Sequence, residues 1–293
     1  MKPKVTIGVC VRNCSATIHQ TIESIISQDY PHELMEVIFV DDGSEDETLS
    51  IIKRYAKTID MKVKIFHHEW KGLGVSRNVV VDNAEGKYII WVDGDMILPP
   101  DHVRKQIEFM ENNPKVGIAK ARRGMLPGAN IIEVLENTPF MILDLKNEPL
   151  ESRLPGTGGS IYRVDAIRQV GGFDEKLRGT GEDQDLAHRI KTSGWNIKRS
   201  PTIFYERRNN TWSTVWKKWI WYGFGDYDLY RKNRDILSLF KMNPLAGFMY
   251  GLLQLPYAYK LIPCKFVFIL PFYIALKMIA WCLGFLRKQK ISH

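Results

Sequence analysis

Four runs of β-branched and apolar residues recur in the first hundred positions, each followed by a segment of different periodicity. They are VTIGVCV at 5–11, EVIFV at 36–40, KVKIF at 62–66 and KYIIWV at 87–92. Continuous apolar runs of this length suit strands buried on both faces, as in a parallel sheet. Between the first two lies SATIHQTIESIISQ at 15–28, where Ile18, Ile22, Ile25 and Ile26 share one helical face. Residues 46–57 and 74–84 read as further helices. This alternation restricts the chain to an α/β architecture, a Rossmann-like, mostly parallel sheet with flanking helices. Such sheets bind ligands beyond the carboxyl ends of their strands. Two of those ends carry acids here: Asp41-Asp42-Gly43-Ser44 and Asp93-Gly94-Asp95.

Beyond residue 100 the pattern is less regular. Residues 101–112, 129–146 and 182–193 read as helices, and 156–165 hold a Gly-rich turn and a short strand. A length of 293 residues fits about two domains. With 45% hydrophobic and 25% charged residues, a disordered or fibrous chain is excluded. The four cysteines, at 10, 14, 264 and 282, form no CxxC pair, which argues against a structural zinc site or a disulfide framework. The opening MKPKVTIGVC lacks the long apolar core of a signal peptide.

The net charge of +8 is uneven. Residues 201–293 carry 14 Lys/Arg against 4 Asp/Glu, whereas residues 1–200 carry 27 against 29. Basic charge beside apolar runs suits an anionic membrane surface better than nucleic acid. Residues 212–222, WSTVWKKWIWY, interleave Trp212, Trp216, Trp219 and Trp221 with Lys217 and Lys218, an interfacial pattern. Two apolar segments follow, at 242–259 and 262–286, each approaching the ~20 residues that span a bilayer. Arg231, Lys232 and Arg234 precede them and Arg287, Lys288 and Lys290 follow, as in a hairpin with both ends cytoplasmic. Pro244, Pro256, Pro263 and Pro271 favour an in-plane or buried pair instead, and Lys260 and Lys265 in the connecting turn also weaken the hairpin.

The acids admit two kinds of reading. Carboxylates at i and i+2, as in Asp93-Gly94-Asp95, can hold a hard divalent ion that neutralises a diphosphate, or simply form an acidic turn. In Asp41-Asp42-Gly43-Ser44 an acid can accept hydrogen bonds from a base or ribose, or the turn can cap the next helix. Glu182-Asp183 can supply a general base at the rim of a site, or cap the helix that it opens.

Six motifs stand in order: Asn13 closing the first β–α unit, VDDGS at 40–44, GLGVSRN at 72–78, VDGD at 92–95, GGFDE at 171–175 and GEDQDLAHRIKTSGW at 181–195. Together they resemble the family 2 glycosyltransferases over residues 4–206. The resemblance implies a GT-A fold and inverting transfer from a UDP- or GDP-sugar. In that reaction an acceptor hydroxyl displaces the nucleoside diphosphate in one step. It implies that Val9, Val11, Asn13, Asp41, Asp42 and Arg77 lie against the donor nucleotide, with Asp93 approaching the ribose. Asp95 would ligate Mg2+ or Mn2+, Asp183 would act as the base, and Glu182 would stand beside it. The tail resembles the membrane-associated ends of many such enzymes.

Three positions depart from the family pattern. Cys10-Val11-Arg12-Asn13 replaces the frequent Pro-Thr-Tyr-Asn, Trp70 stands where Asn is common, and Tyr205-Glu206 stands where a His often follows the last strand. Glu206 then becomes a candidate oxygen ligand for the metal. Polyprenyl-phosphate sugar synthases share the early motifs but generally lack the Glu-Asp pair, because a phosphate acceptor needs no deprotonation. The Gln-x-x-Arg-Trp motif of cellulose-synthase-like enzymes is not found; WKKWIWYGFG stands in that region. A nucleotidyltransferase would want a Gly-rich basic loop near the N-terminus, which TIGVCVRNCS is not.

The expected organisation is a GT-A domain at 1–206, an amphipathic interfacial region at 207–241 and a hydrophobic helical membrane segment at 242–293. The expected activity is that of a hexosyltransferase-type enzyme at a membrane, its catalytic domain on the cytoplasmic face, acting on a lipid-linked sugar or other glycan acceptor. The competing readings are a polyprenyl-phosphate sugar synthase and an inactive nucleotide- or sugar-binding membrane protein.

Overall fold

The computed structural model describes residues 2–146, 154–207, 211–240 and 242–292. The chain divides into two compact units. The first comprises Met1–Arg122, Pro149–Arg178 and Glu182–Arg207; the second comprises Arg123–Glu148, Gly179–Gly181 and Arg208–His293.

The first unit is built on strands β1 (Val5–Val11), β2 (Met35–Asp42), β3 (Lys62–His68), β4 (Tyr88–Trp91), β5 (Met96–Ile97), β6 (Val116–Arg123), β7 (Ser160–Arg163) and β8 (Asn196–Glu206). Their order is β3-β2-β1-β4-β7-β6-β8-β5. The four strands legible from their apolar runs are mutually parallel, with Val11 opposite Asp41 and Gly8 opposite Trp91. The other half differs from a purely parallel reading: β7 is antiparallel to both β4 and β6, and β5 is antiparallel to β8. The sheet is therefore mixed.

Alternation along the strands sends side chains to opposite faces. Val5, Ile7, Val9 and Val11 pack beneath α1 (Ile18–Ile26), α2 (Thr48–Tyr55) and α4 (His102–Glu111) through Ile22, Ile52 and Ile107. Ile38, Val40, Ile89 and Trp91 face the opposite layer, formed by α3 (Leu73–Asn83), α6 (Val164–Gln169) and α7 (Glu182–Thr192). Each fully buried aliphatic side chain contributes about 1.5–3 kcal/mol of transfer free energy. That burial fixes the register and hence the position of every strand end.

The second unit is helical: α5 (Ile131–Leu145), α8 (Trp212–Lys232), α9 (Pro244–Leu261) and α10 (Leu270–Ile291). Asn130 caps α5 through a capping box with Glu133, and Thr211 caps α8 through one with Thr214. α8 and α10 approach backbone to backbone where Gly223 faces Trp281 and Gly284 faces Ile220; a Cβ at either glycine would strike the facing main chain. Glu136 on α5 is 6% exposed and accepts from Lys218 Nζ on α8 at 2.8 Å. It also accepts from Lys277 Nζ at 2.8 Å and Tyr273 Oη at 2.6 Å, both on α10.

Within this unit Ile132, Leu135 and Ile142 of α5 bury against Val215, Leu270 and Ile274, so α5 packs with the tail although it lies within the expected 1–206 domain. Residues 211–240 and 242–292, expected as two separate regions, fall in this one unit. Of the two apolar segments, only that forming Lys265–Ile291 is, among the described residues, long and apolar enough to cross a membrane, and half of it is buried within the unit.

Candidate active site

The parallel half of the sheet delivers β1, β2 and β4 to one edge, and the acids stand there. Asp41 and Asp42 end β2 and are both buried. Their partners separate their roles. Asp42 accepts from the Lys71 amide at 2.7 Å and the Gly72 amide at 3.0 Å, and so holds the loop that enters α3. Asp41 Oδ1 accepts from the Ser44 amide at 2.7 Å, while its Oδ2 is buried without a hydrogen-bond partner. A buried acceptor left open at a strand end is an opening for a ligand donor.

The loop after β1 docks on the same turn. Asn13, at φ 53, donates its amide to Ser44 Oγ at 2.9 Å, and its Oδ1 accepts from the Glu45 amide at 2.9 Å. Val9 and Val11 bury their side chains in the core, so only their main chain is available to a nucleotide. Arg12 lies 5.8 Å over the half-exposed Trp70 ring. Burial pushes the thiols of Cys10 and Cys14 up to about 12, so neither is a nucleophile at neutral pH.

Arg77, on α3, reaches Glu182 at the start of α7 and forms a buried ion pair with it through Nη1 and Oε1. Burial opposes the guanidinium charge, but Glu182, Asp183 and Asp93 outweigh it and hold Arg77 charged. One arginine thus ties α3 to the start of α7. Burial pushes the Glu182 carboxyl up to about 7, against the pull of Arg77 and with the help of Asp183. Glu182 is 2% exposed, whereas its neighbour Asp183 is only partly buried. Asp183 Oδ1 accepts from the Gln184 amide at 2.8 Å and Oδ2 from the Thr157 amide at 3.3 Å. Of the two acids, only Asp183 is open enough to meet an incoming hydroxyl.

The Glu182 shift has a thermodynamic consequence. In the unfolded chain this carboxyl ionises in the ordinary glutamate range; burial raises it in the folded chain, even beside Arg77. Between the two ionisations the native state binds a proton that the unfolded state has lost, so stability falls as pH rises. Denaturation midpoints measured across that window should decline for the wild type, with a shallower slope for Glu182→Gln. Equal slopes would place the ionisation elsewhere.

The loop facing Asp93 and Asp183 was only partly legible. Lys120 on β6 donates its Nζ to the carbonyls of Gly156, at 3.2 Å, and Gly158. A Cβ on Gly158 would lie 2.7 Å from Asp93 Oδ2, so only glycine fits there. The Tyr162 hydroxyl is buried without a partner, and its proton is held by burial and by the charge of Asp183. The signals existed: a lysine inside the apolar run VGIAK and a tyrosine inside the strand SIYR.

The β5–β8 pairing brings the main chain at Asp95 beside that of Glu206 and Arg207. Met96 pairs with Glu206, and the Arg207 amide donates to the Asp95 carbonyl at 2.7 Å. No group of three or more His, Cys, Asp or Glu side chains placed to hold a metal occurs among the described residues. Magnesium is usually held by one or two carboxylates completed by phosphate oxygens and water. Asp95 and Glu206 are carboxylates of the type that such an ion takes, on main chain that the β5–β8 pairing brings close.

A mixed sheet of this order, with acids gathered at the ends of β2 and β4, defines a GT-A sugar-transferase architecture. Residues 6–171 match the family described as Glycosyl transferase family 2, and the chain belongs to that family; it is a glycosyltransferase. A second family, described as N-terminal domain of galactosyltransferase, matches residues 140–211. The putative glycosyltransferase EpsE of Bacillus subtilis is 38% identical over 215 residues, which are 71% of this chain and 74% of EpsE. Among solved structures, the mannosyltransferase PcManGT of Pyrobaculum calidifontis in complex with GDP-Man and Mn2+ superposes with a TM-score of 0.71 at 18% identity. That match covers 98% of this chain and 88% of PcManGT. TarS 1–349 of S. aureus in complex with UDP superposes with a TM-score of 0.58, also at 18% identity, over 99% and 92%. At that identity the two structures speak for the fold alone.

Proposed function

We propose that this glycosyltransferase inverts the anomeric carbon of a UDP- or GDP-sugar and passes the sugar to a hydroxyl of a membrane-associated acceptor, a lipid-linked sugar or glycolipid. The observation that carries this reading is the partly open carboxylate of Asp183 beside a sealed Arg77–Glu182 pair. Asp183 takes the proton of the acceptor hydroxyl as its oxygen bonds to the sugar carbon. The bond from that carbon to the diphosphate breaks on the opposite face, and the nucleoside diphosphate leaves. A phosphate acceptor has no proton for Asp183 to remove, which disfavours the polyprenyl-phosphate sugar synthase. An inactive binding protein has no use for either Asp183 or Asp95.

The open acceptor Asp41 Oδ2 suits a base N–H, and Asp42 is spent on the Lys71–Gly72 loop. Asp95 and Glu206 would hold a divalent ion with the donor diphosphate. When bound, that ion stabilises charge on the departing diphosphate. The GDP-Man and Mn2+ bound to PcManGT and the UDP bound to TarS 1–349 support this choice of ligands. The basic, apolar tail supports placement at a membrane with the site on the cytoplasmic face.

Asp95→Asn should abolish turnover and remove the metal-dependent part of UDP or GDP binding, measured by calorimetry with and without Mn2+. Metal-dependent binding of wild-type strength in the variant would sink the assignment. A panel of UDP- and GDP-sugars assayed against membrane lipid extract tests the proposal as a whole; transfer to a phosphate group rather than a hydroxyl would overturn the role given to Asp183.

A further inference from the structure

Within the helical unit, α8 and α10 border a cavity of about 630 Å³. Pockets of that size hold small-molecule ligands. One wall is apolar and formed by Tyr227, Trp281, Phe285 and Leu286. The Phe285 ring lies 5.1 Å from Tyr227 and 4.9 Å from Trp281, and Trp281 Nε1 donates to Asp226 Oδ2 at 2.7 Å. The wall is thus fixed before any ligand arrives. The lining also carries two exposed guanidinium groups, Arg231 and Arg234, and no described lining residue is acidic.

We infer that this cavity binds an amphiphile with a phosphate-ester head, its hydrocarbon chain along the aromatic wall and its head on Arg231 and Arg234. Neither half of the lining is satisfied by a simpler ligand. Free phosphate pairs with the guanidinium groups but leaves the apolar wall against water. A neutral lipid covers the wall but leaves two arginines without the bidentate acceptor that their planar donors match. Tyr227 and Arg231, one turn apart near the end of α8, and Trp281, Phe285 and Gln289 on α10 turn one stripe of each helix toward the cavity, and Arg234 joins them from the turn that follows α8. The inference rests on the proposed lipid-borne acceptor and names its chemical class.

The test uses the full-length protein in neutral phosphatidylcholine nanodiscs and dodecyl phosphate carrying a photoreactive group on its chain. Labelled peptides should map to the last turns of α8 and to α10. Labelling should fall about tenfold in R231A/R234A and be only partly restored in R231K/R234K, which keeps the charge but not the bidentate donors. Unlabelled dodecyl phosphate should compete, and inorganic phosphate or dodecanol should not. Equal labelling of wild type and R231A/R234A, or label spread over the exposed apolar surface, overturns the site. Competition by inorganic phosphate equal to that by dodecyl phosphate reduces it to an anion site, and equal competition by dodecanol reduces it to an apolar one; either result overturns the inference. UDP and GDP binding, measured in the same preparation, reports on the sheet unit separately. Nucleotide binding without site-specific labelling refutes the lipid cavity and leaves the transferase reading standing.

Discussion

Asp183→Asn should lower sugar transfer by roughly 10²-fold or more while leaving the affinity for UDP or GDP unchanged. The amide keeps the volume of the carboxylate, and its one oxygen can keep the shorter bond from the Gln184 amide while the longer one from Thr157 is lost. It cannot take a proton at neutral pH. The groups assigned to the nucleotide, Asp41 above all, lie on other elements and are untouched. Single-turnover rates and calorimetric affinities separate the two effects. A folded variant with the wild-type rate would reduce Asp183 to a favourable charge at the N-terminus of α7, worth about 0.3–1 kcal/mol.

Arg77→Met should be the most destabilising single change at the site. It leaves Glu182 buried without its cation and removes the positive charge shared with Asp183 and Asp93. Breaking a buried ion pair from one side costs about 3–5 kcal/mol, because the remaining charge is neither solvated nor paired. Without Arg77 burial pushes the Glu182 carboxyl further up, so the loss should be small where Glu182 is neutral and reach its full size only as rising pH forces it to ionise. Urea denaturation at two pH values measures both effects. Arg104→Met, which removes an exposed pair with Asp29, serves as the contrast and should leave the midpoint nearly unchanged. If both variants unfold alike, the Arg77–Glu182 pair is not the brace that joins α3 to α7.

The strand-end acids were readable because a buried strand and its terminating turn are both local. VDDGS and VDGD mark where apolar runs stop, and the folded chain puts them at one sheet edge. Strand direction was less accessible. Nothing in SIYR distinguishes a strand antiparallel to β4 from a parallel one, since pairing is set by the path of the chain. β6 escaped because Lys120, Arg122 and Arg123 interrupt its apolar pattern, and β5 because two residues carry no period. The difference in role between Asp41 and Asp42 also lay beyond the sequence. It depends on which side chain the Lys71–Gly72 amides happen to reach. Asp95 and Glu206 are more than a hundred positions apart, and only the short β5–β8 pairing brings their main chains close.

Glu136 gives the basic tail a different standing from that of a detachable anchor. Its carboxylate takes two lysines and a tyrosine, all from beyond residue 210, while α5 itself sits in the middle of the chain. The units are therefore interleaved along the polypeptide, and no single cut separates them. Ending the chain near residue 205 would strip Ile132, Leu135 and Ile142 of their cover and leave Glu136 without a cation. Such a fragment should aggregate rather than yield a free sheet unit, and static light scattering would report it. The helical unit is thus not one contiguous stretch, and it cannot be lifted out of the chain without taking α5 from between β6 and β7.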